Sequence, residues 1–219
     1  KKKISKKKWN WMNCGSEREN TLNENLNSFK KYRINQEILN NVSKLSMNKK
    51  FLGVNLRFPM IISPLGYMTQ YSNKGEIDLA LGAYNRDTFI CLSGVSAIKI
   101  DEIMKTNKNL NVIYQFYSLQ PKKWALDEIK KITKLGVKGI CVTADSPVRS
   151  IKYDIMESRY DARKNGRIGL PKAPLQHMSK LNWNDIRWLR KQTKLPIIIK
   201  GVLNVPDANK SFKNGADII

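Results

Sequence analysis

The chain has 219 residues, 41% of them hydrophobic, and a formal net charge of +22. That length and apolar content suffice for one sizeable core, and one domain is expected. No apolar run reaches membrane-spanning length, and the Lys1-Lys2-Lys3 and Lys6-Lys7-Lys8 runs lack the apolar stretch of a secretory signal, so neither a bilayer-embedded protein nor a signal peptide at these residues is expected. The charge raises nucleic acid or another anionic surface as a partner. Lys outnumbers Arg threefold, however, and Lys, Asn and Ile are abundant together along the whole chain, as A/T-rich coding would produce; nucleic acid is therefore not favoured. Cys14, Cys91 and Cys141 show no zinc or disulfide spacing, and the latter two sit in apolar runs as small hydrophobes. A reducing, cytoplasmic setting is expected, with peripheral membrane association left open.

In chain order, residues 1–55 read as a mostly polar, helical lead-in with a small antiparallel element near Phe51 to Phe58. Met60-Ile61-Ile62 reads as the first buried strand, followed by a helix from Gly75 to Asn85. Phe89 to Leu92 is the second strand, with a short helix from Ile100 to Thr106, and Val112 to Tyr117 is the third. The helix expected over Lys122–Leu135 places Ala125, Ile129 and Ile132 on one face. Gly139 to Thr143 and Pro196 to Lys200 are the fourth and fifth strands. Asn204-Val205-Pro206-Asp207 is a helix start, Asn214-Gly215 its stop, and Ala216 to Ile219 opens a sixth strand. Such alternation predicts a parallel sheet, either an open doubly wound one or a closed barrel. No Gly-x-Gly-x-x-Gly turn follows the first strand, which weakens a dinucleotide-binding reading. Asp145 to Leu181 reads as a long active-site loop or lid.

The strands end in Ser63-Pro64, Leu92-Ser93, Gln115-Phe116-Tyr117, Thr143-Ala144-Asp145 and Lys200. If they run parallel, these groups share one rim. Ser, Gln and Thr suit a neutral heterocycle with both donors and acceptors. A lysine beside them suits a ring that gains negative charge.

With Gly15-Ser16-Glu17 and Thr21-Leu22, Pro59 to Pro64, Gly75-Glu76, Leu92-Ser93, Gln115-Phe116-Tyr117, Val142 to Pro147, Leu181-Asn182-Trp183 and Leu195 to Gly201, the chain resembles the FMN-dependent 2-hydroxy acid oxidoreductases of the glycolate oxidase, L-lactate dehydrogenase and flavocytochrome b2 type. The resemblance implies an α/β fold, a (β/α)8 TIM barrel of which this chain supplies about the first five to six β/α units. Residues 1–55 would be the lead-in and 56–219 an incomplete FMN-binding barrel. The implied activity is FMN-dependent oxidation of a small (S)-2-hydroxy acid to the 2-oxo acid, by an enzyme that is a homo-oligomer when complete. Ser93, Gln115 and Thr143 would hydrogen-bond the flavin ring, with Ser63, Pro64, Leu65 and Gly66 against its reactive edge. Lys200 would stabilise its anionic reduced form. Tyr117 would contact the substrate and Asp145 would support the site; no metal is implied.

Three departures accompany the resemblance. The family's substrate-binding tyrosine falls on Trp11, whose indole donates but does not accept a hydrogen bond. The arginine after the Asp-x-Pro segment falls on Lys152, which keeps charge without the bidentate fork; both positions stay as substrate-binding candidates. The family's catalytic histidine and carboxylate-binding arginine lie in a Ser-Asn-His-Gly segment beyond Ile219, so the chain alone is expected to be inactive. His177, in the long loop, is not expected to replace that histidine. The alternative reading is a non-catalytic barrel remnant acting as a basic binding or structural subunit, in a ribonucleoprotein for example.

Overall fold

The computed structural model describes residues 4–148, 150–161 and 176–219. The chain divides into two compact units, Lys1–Met47 with Arg149–Asn165, and Asn48–Val148 with Gly166–Ile219. In the first, α1 (Lys6–Asn13), α2 (Asn20–Ser28) and a short 3-10 turn are the helical part of the expected lead-in. Helix ends there: residues 32–48 carry neither helix nor strand, because Ile34 and Leu39 stand 96% and 99% exposed and no apolar face is buried to stabilise one.

In the second unit, β1 (Lys49–Phe51) and β2 (Val54–Leu56) form an antiparallel hairpin. Then come α3 (Gly75–Tyr84), β3 (Ile90–Leu92), α4 (Ile100–Thr106), β4 (Val112–Phe116), α5 (Lys122–Lys134) and β5 (Gly139–Thr143). Helix α6 (Tyr153–Ser158) belongs to the first unit. After it follow α7 (Trp183–Gln192), β6 (Ile197–Lys200) and α8 (Val205–Lys213). The sheet is parallel throughout, in the order β3-β4-β5-β6.

Two expected strands shrink to single bridges at its edges. Ile62 pairs with Ile90, donating its N–H to Phe89 at 2.9 Å and accepting from Cys91 at 2.8 Å. Pro59 and Pro64 bracket that segment and lack the N–H a longer ladder needs. At the other edge Ile218 pairs with Ile198. Six strand positions thus follow one another in chain order, with helices between them, as in a (β/α) barrel. Much of the expected Asp145–Leu181 loop lies outside the described residues; α6 and a 3-10 turn at Met178–Lys180 are its described structure.

Side chains alternate across β3 to β6 and create two cores. Ile90, Leu92, Val112, Tyr114, Phe116, Ile140, Val142, Ile197 and Ile199 pack against the helices. The predicted stripe of α5, Ala125, Ile129 and Ile132, is fully buried among them. Tyr114, Phe116 and Trp124 meet edge to face, with centroids 5.1 and 5.8 Å apart. On the other face Phe89, Cys91, Ile113 and Cys141 pack with Ile198 and with Phe51, Leu52, Val54 and Leu56 of the hairpin. The hairpin therefore stoppers the N-terminal end of the sheet's inner face, leaving the opposite end for polar groups.

The helical layer is bolted by Asp185. Its carboxylate accepts the Asn182 N–H at 3.0 Å, closing a capping box at the start of α7, and also accepts from Lys122 at the head of α5. The Lys122 ammonium in turn lies 4.1 Å over the Trp188 ring. Asp185→Ala is expected to lower stability by about 2–3 kcal/mol, the sum of a lost cap and a lost charged hydrogen bond. Urea unfolding measures it, with Asp185→Asn losing less because its oxygen can still cap. A second expectation concerns alkaline pH. Burial, then the charge and hydrogen bond of Glu128, then Asp101 raise the Tyr114 phenol well above 10.0. A raised folded-state value means that stability is complete below the unfolded value near 10 and is lost as pH climbs past it, when the unfolded chain alone ionises. The slope should approach about 1.4 kcal/mol per pH unit above pH 10 and become shallower in Tyr114→Phe. Urea midpoints between pH 8 and 11 test this.

Candidate active site

On the inner face of four strands, apolar residues give way to polar ones toward the C-terminal end. Two residues beyond Cys91 stands Ser93, beyond Ile113 stands Gln115, beyond Cys141 stands Thr143, and beyond Ile198 stands Lys200. Because the pairing is parallel, with Gln115 opposite Cys141 and Thr143 opposite Lys200, these groups emerge at one end of the sheet. A further two residues along lie Tyr117 and Asp145. The rim predicted from the strand ends is thus formed in the second unit.

Its contacts are specific. Gln115 is 1% exposed; its Nε2 donates to Thr143 Oγ1 at 2.5 Å, and its Oε1 is buried without a partner. Ser93, also buried, accepts the Val95 N–H on Oγ at 3.3 Å. Gly66 approaches this turn so closely that a Cβ would stand 2.6 Å from Val95 Cγ2 and 3.6 Å from Ser93 Oγ, which brings the Pro64–Gly66 backbone to the rim. Ser63 and Leu65 in the same segment are exposed. Lys200 Nζ donates to both Asp145 oxygens, at 3.1 and 3.3 Å, with its side chain 37% exposed.

Tyr117 lies among these groups. Burial raises its phenol above 10.0, while hydrogen bonding to Ser93, the Lys200 charge and Gln115 oppose the rise and Asp145 adds to it. At neutral pH it is a hydrogen-bond donor. The Lys200 charge is also felt at Cys91 and Cys141, whose thiols share a hydrogen bond beneath the rim; that bond and burial push Cys91 up.

Two supporting residues carry no signal of their own as isolated letters. Gly201 adopts φ +104°, and a Cβ there would meet Asp145 Cβ at 2.4 Å, so the residue after Lys200 must be glycine for Asp145 to reach the ammonium. Glu76, 1% exposed, accepts the Ala97 N–H at 3.1 Å and shapes the turn that begins at Ser93. Both fall inside motifs quoted from the sequence, which is the only sign that could have flagged them. Trp11 and Lys152 belong to the other unit, where the Lys152 ammonium donates to backbone carbonyls of the Trp11–Cys14 turn. His177 is half-buried at the head of the Met178–Lys180 turn, and its carbonyl accepts from Lys180 at 3.0 Å. Among the described residues no cluster of three or more His, Cys, Asp or Glu could hold a metal, and no helix is long and apolar enough to cross a membrane.

Comparison with known proteins places this architecture. Peroxisomal (S)-2-hydroxyacid oxidase GLO4 of Arabidopsis thaliana is 29% identical over 99% of this chain and 64% of its own length. L-lactate dehydrogenase of Pseudomonas syringae pv. syringae is 24% identical, over 99% of this chain and 67% of its own length. The chain thus spans about two-thirds of the length of the curated relatives it matches. The crystal structure of mandelate oxidase superposes with a TM-score of 0.90 at 21% identity, covering 100% of this chain and 64% of that one, so the fold is that of the TIM barrel that the resemblance implied. The family description "FMN-dependent dehydrogenase" matches residues 1–219, and with the rim of Ser93, Gln115, Thr143 and Lys200 in place, the chain belongs to the FMN-dependent dehydrogenase family.

Proposed function

We propose that this chain forms the flavin-binding part of an enzyme that oxidises a small (S)-2-hydroxy acid to the 2-oxo acid. The observation that carries the reading is the change from apolar to polar on the inner face of four parallel strands toward one end of the sheet, at Ser93 and Gln115 and, one inward step further, at Thr143 and Lys200. Core packing requires the apolar members of those strands and gives no reason for a buried Gln115 with an unused acceptor.

The group that the family uses fits these residues. The FMN ring presents an N–H donor and carbonyl acceptors on one edge, matching an unpartnered Gln115 Oε1 and the Ser93 and Thr143 hydroxyls. Gly66 lets backbone approach where a Cβ would be blocked. When bound, FMN supplies the acceptor for two electrons. Lys200 places a positive charge at that rim, where it favours negative charge that grows during oxidation. Asp145 and Gly201 hold Lys200 in place. Tyr117, kept neutral, donates a hydrogen bond to the substrate in this reading. The hydroxy acid loses its C2–H and O–H as two electrons and two protons. No residue of this cluster is assigned to proton removal, since Tyr117 is a donor and Asp145 is engaged with Lys200. The relatives' names, 2-hydroxyacid oxidase and L-lactate dehydrogenase, support the substrate class.

The test uses this chain and a chimera in which a relative's remaining barrel units follow Ile219. Flavin content and flavin reduction by glycolate, lactate and mandelate are measured. A folded chimera with neither bound flavin nor hydroxy acid oxidation sinks the reading. In the flavin-loaded chimera, Lys200→Met should lower the reduction potential and weaken sulfite binding by about 10²-fold; unchanged values remove Lys200 from its role. Tyr117→Phe should raise KM about tenfold, the cost of one hydrogen bond to a charged group, with a smaller change in kcat. Because the Tyr117 phenol is held above 10.0, its ionisation should contribute no limb to the pH–rate profile below pH 10.

A further inference from the structure

The resemblance makes Lys152 a contact for the substrate carboxylate, but the structure commits its ammonium to the protein. Lys152 Nζ donates to the Cys14 carbonyl at 2.8 Å and to the Trp11 carbonyl at 3.4 Å. It also stands 5.2 Å from the centroid of the Trp11 ring. Of the three N–H groups of an ammonium, two are thereby used on backbone, and the charge rests over the indole.

The carbonyls concerned lie at the C-terminal end of α1, where the last C=O groups lack helical partners and the helix dipole is negative. The same turn is closed by the Cys14 N–H on Asn10 at 2.9 Å and by the Cys14 thiol on the Trp11 carbonyl at 3.4 Å. Glu17 donates to the Ile151 carbonyl at 2.9 Å, which fastens the residue before Lys152 to that loop. A cation held by two carbonyls and a ring within one fastened loop has lost the freedom of a surface lysine.

We infer that Lys152 is a positioning residue: it caps α1 and fixes the Trp11 indole, and its ammonium is spent there instead of on a substrate carboxylate. The replacement of an arginine by lysine at this position then goes with the replacement of a tyrosine by Trp11. An ammonium over an indole face does not need the bidentate fork that a carboxylate would ask for. The words about substrate rest on the proposed function; the relation between Lys152 and Trp11 does not.

The experiment has two arms. In the first, the chain is labelled with fluorotryptophan and its five tryptophan resonances are followed by fluorine NMR, Trp11 being assigned by its loss in Trp11→Phe. Lys152→Met should shift or split the Trp11 resonance and leave those of Trp124, Trp183 and Trp188 in place. Lys152→Arg should restore it, because a guanidinium can donate to both carbonyls and stack on the ring. An unmoved Trp11 resonance in a folded Lys152→Met overturns the inference. In the second arm, the flavin-loaded chimera carries Lys152→Met, Trp11→Phe or both. Two residues acting as one unit give a double variant within about twofold of the worse single variant in KM, whereas independent substrate contacts multiply. Multiplied losses, or a Lys152→Met defect that Lys152→Arg does not rescue, overturn it as well. Should the chimera lack turnover altogether, the proposed function fails while the fluorine arm still decides the role of Lys152.

Discussion

The parallel register of β3 to β6 is the constraint on which the rest of the second unit depends. It aligns Leu92 with Tyr114, Gln115 with Cys141 and Thr143 with Lys200, so that the inward groups of neighbouring strands sit at fixed relative heights, Thr143 and Lys200 one inward step beyond Gln115. In a pleated strand a shift of one residue would turn every inward group outward, placing Gln115 among the helices and Tyr114 in the site. The site is therefore not a set of independently placed side chains. It is the polar end of an alternation whose apolar end is the core around Phe89, Cys91, Ile113 and Cys141.

That arrangement asks for support at both ends. At the N-terminal end the β1–β2 hairpin supplies it, with Phe51 packed edge to face on Phe89 at 5.4 Å. On the outer face the helices supply it, and Asp185 ties the starts of α5 and α7 together with one carboxylate. Asp185 is 5% exposed, so its charge is affordable only because a capping box and an ammonium share it. At the C-terminal end there is less packing and more polar contact: the Gln115–Thr143 bond, the Lys200–Asp145 pair and the close approach of Gly66. Rigidity passes from the core to the rim through the strands themselves, which is how a fixed geometry can be kept in a site that needs exposed charge.

The large positive charge has a narrower meaning than composition suggests. At the rim it reduces to one lysine, oriented by one aspartate over a glycine that nothing else could replace. In the first unit it reduces to another, Lys152, spent on a helix terminus and an indole. Both are held by specific partners, unlike solvated surface charge, and each sets the direction of a neighbouring group.

The fold class was legible in this chain because strands buried on both faces read as short apolar runs between Gly and Pro, because α5 carries an apolar stripe and because α8 carries its own start signal; α7 was not foreseen. The rim was legible because polar residues at the ends of such runs have no packing reason to be there. The edges were not: Met60–Ile62 and Ala216–Ile219 look as apolar as the inner strands but make only single bridges, since a ladder depends on a neighbour and on available N–H groups, not on hydropathy. Nor could the sequence tell that Gly201 sits under Asp145, that Glu76 holds the turn after β3, or that Lys152 is spent on α1. Local pattern by itself determined the elements, their order and the chemical kind of the rim, because propensity and periodicity act over a few residues. Tertiary structure alone decided which polar atoms are satisfied and which, like Gln115 Oε1, are buried without a partner, because a hydrogen bond between residues as distant as Lys152 and Cys14 exists only after the chain has brought them together.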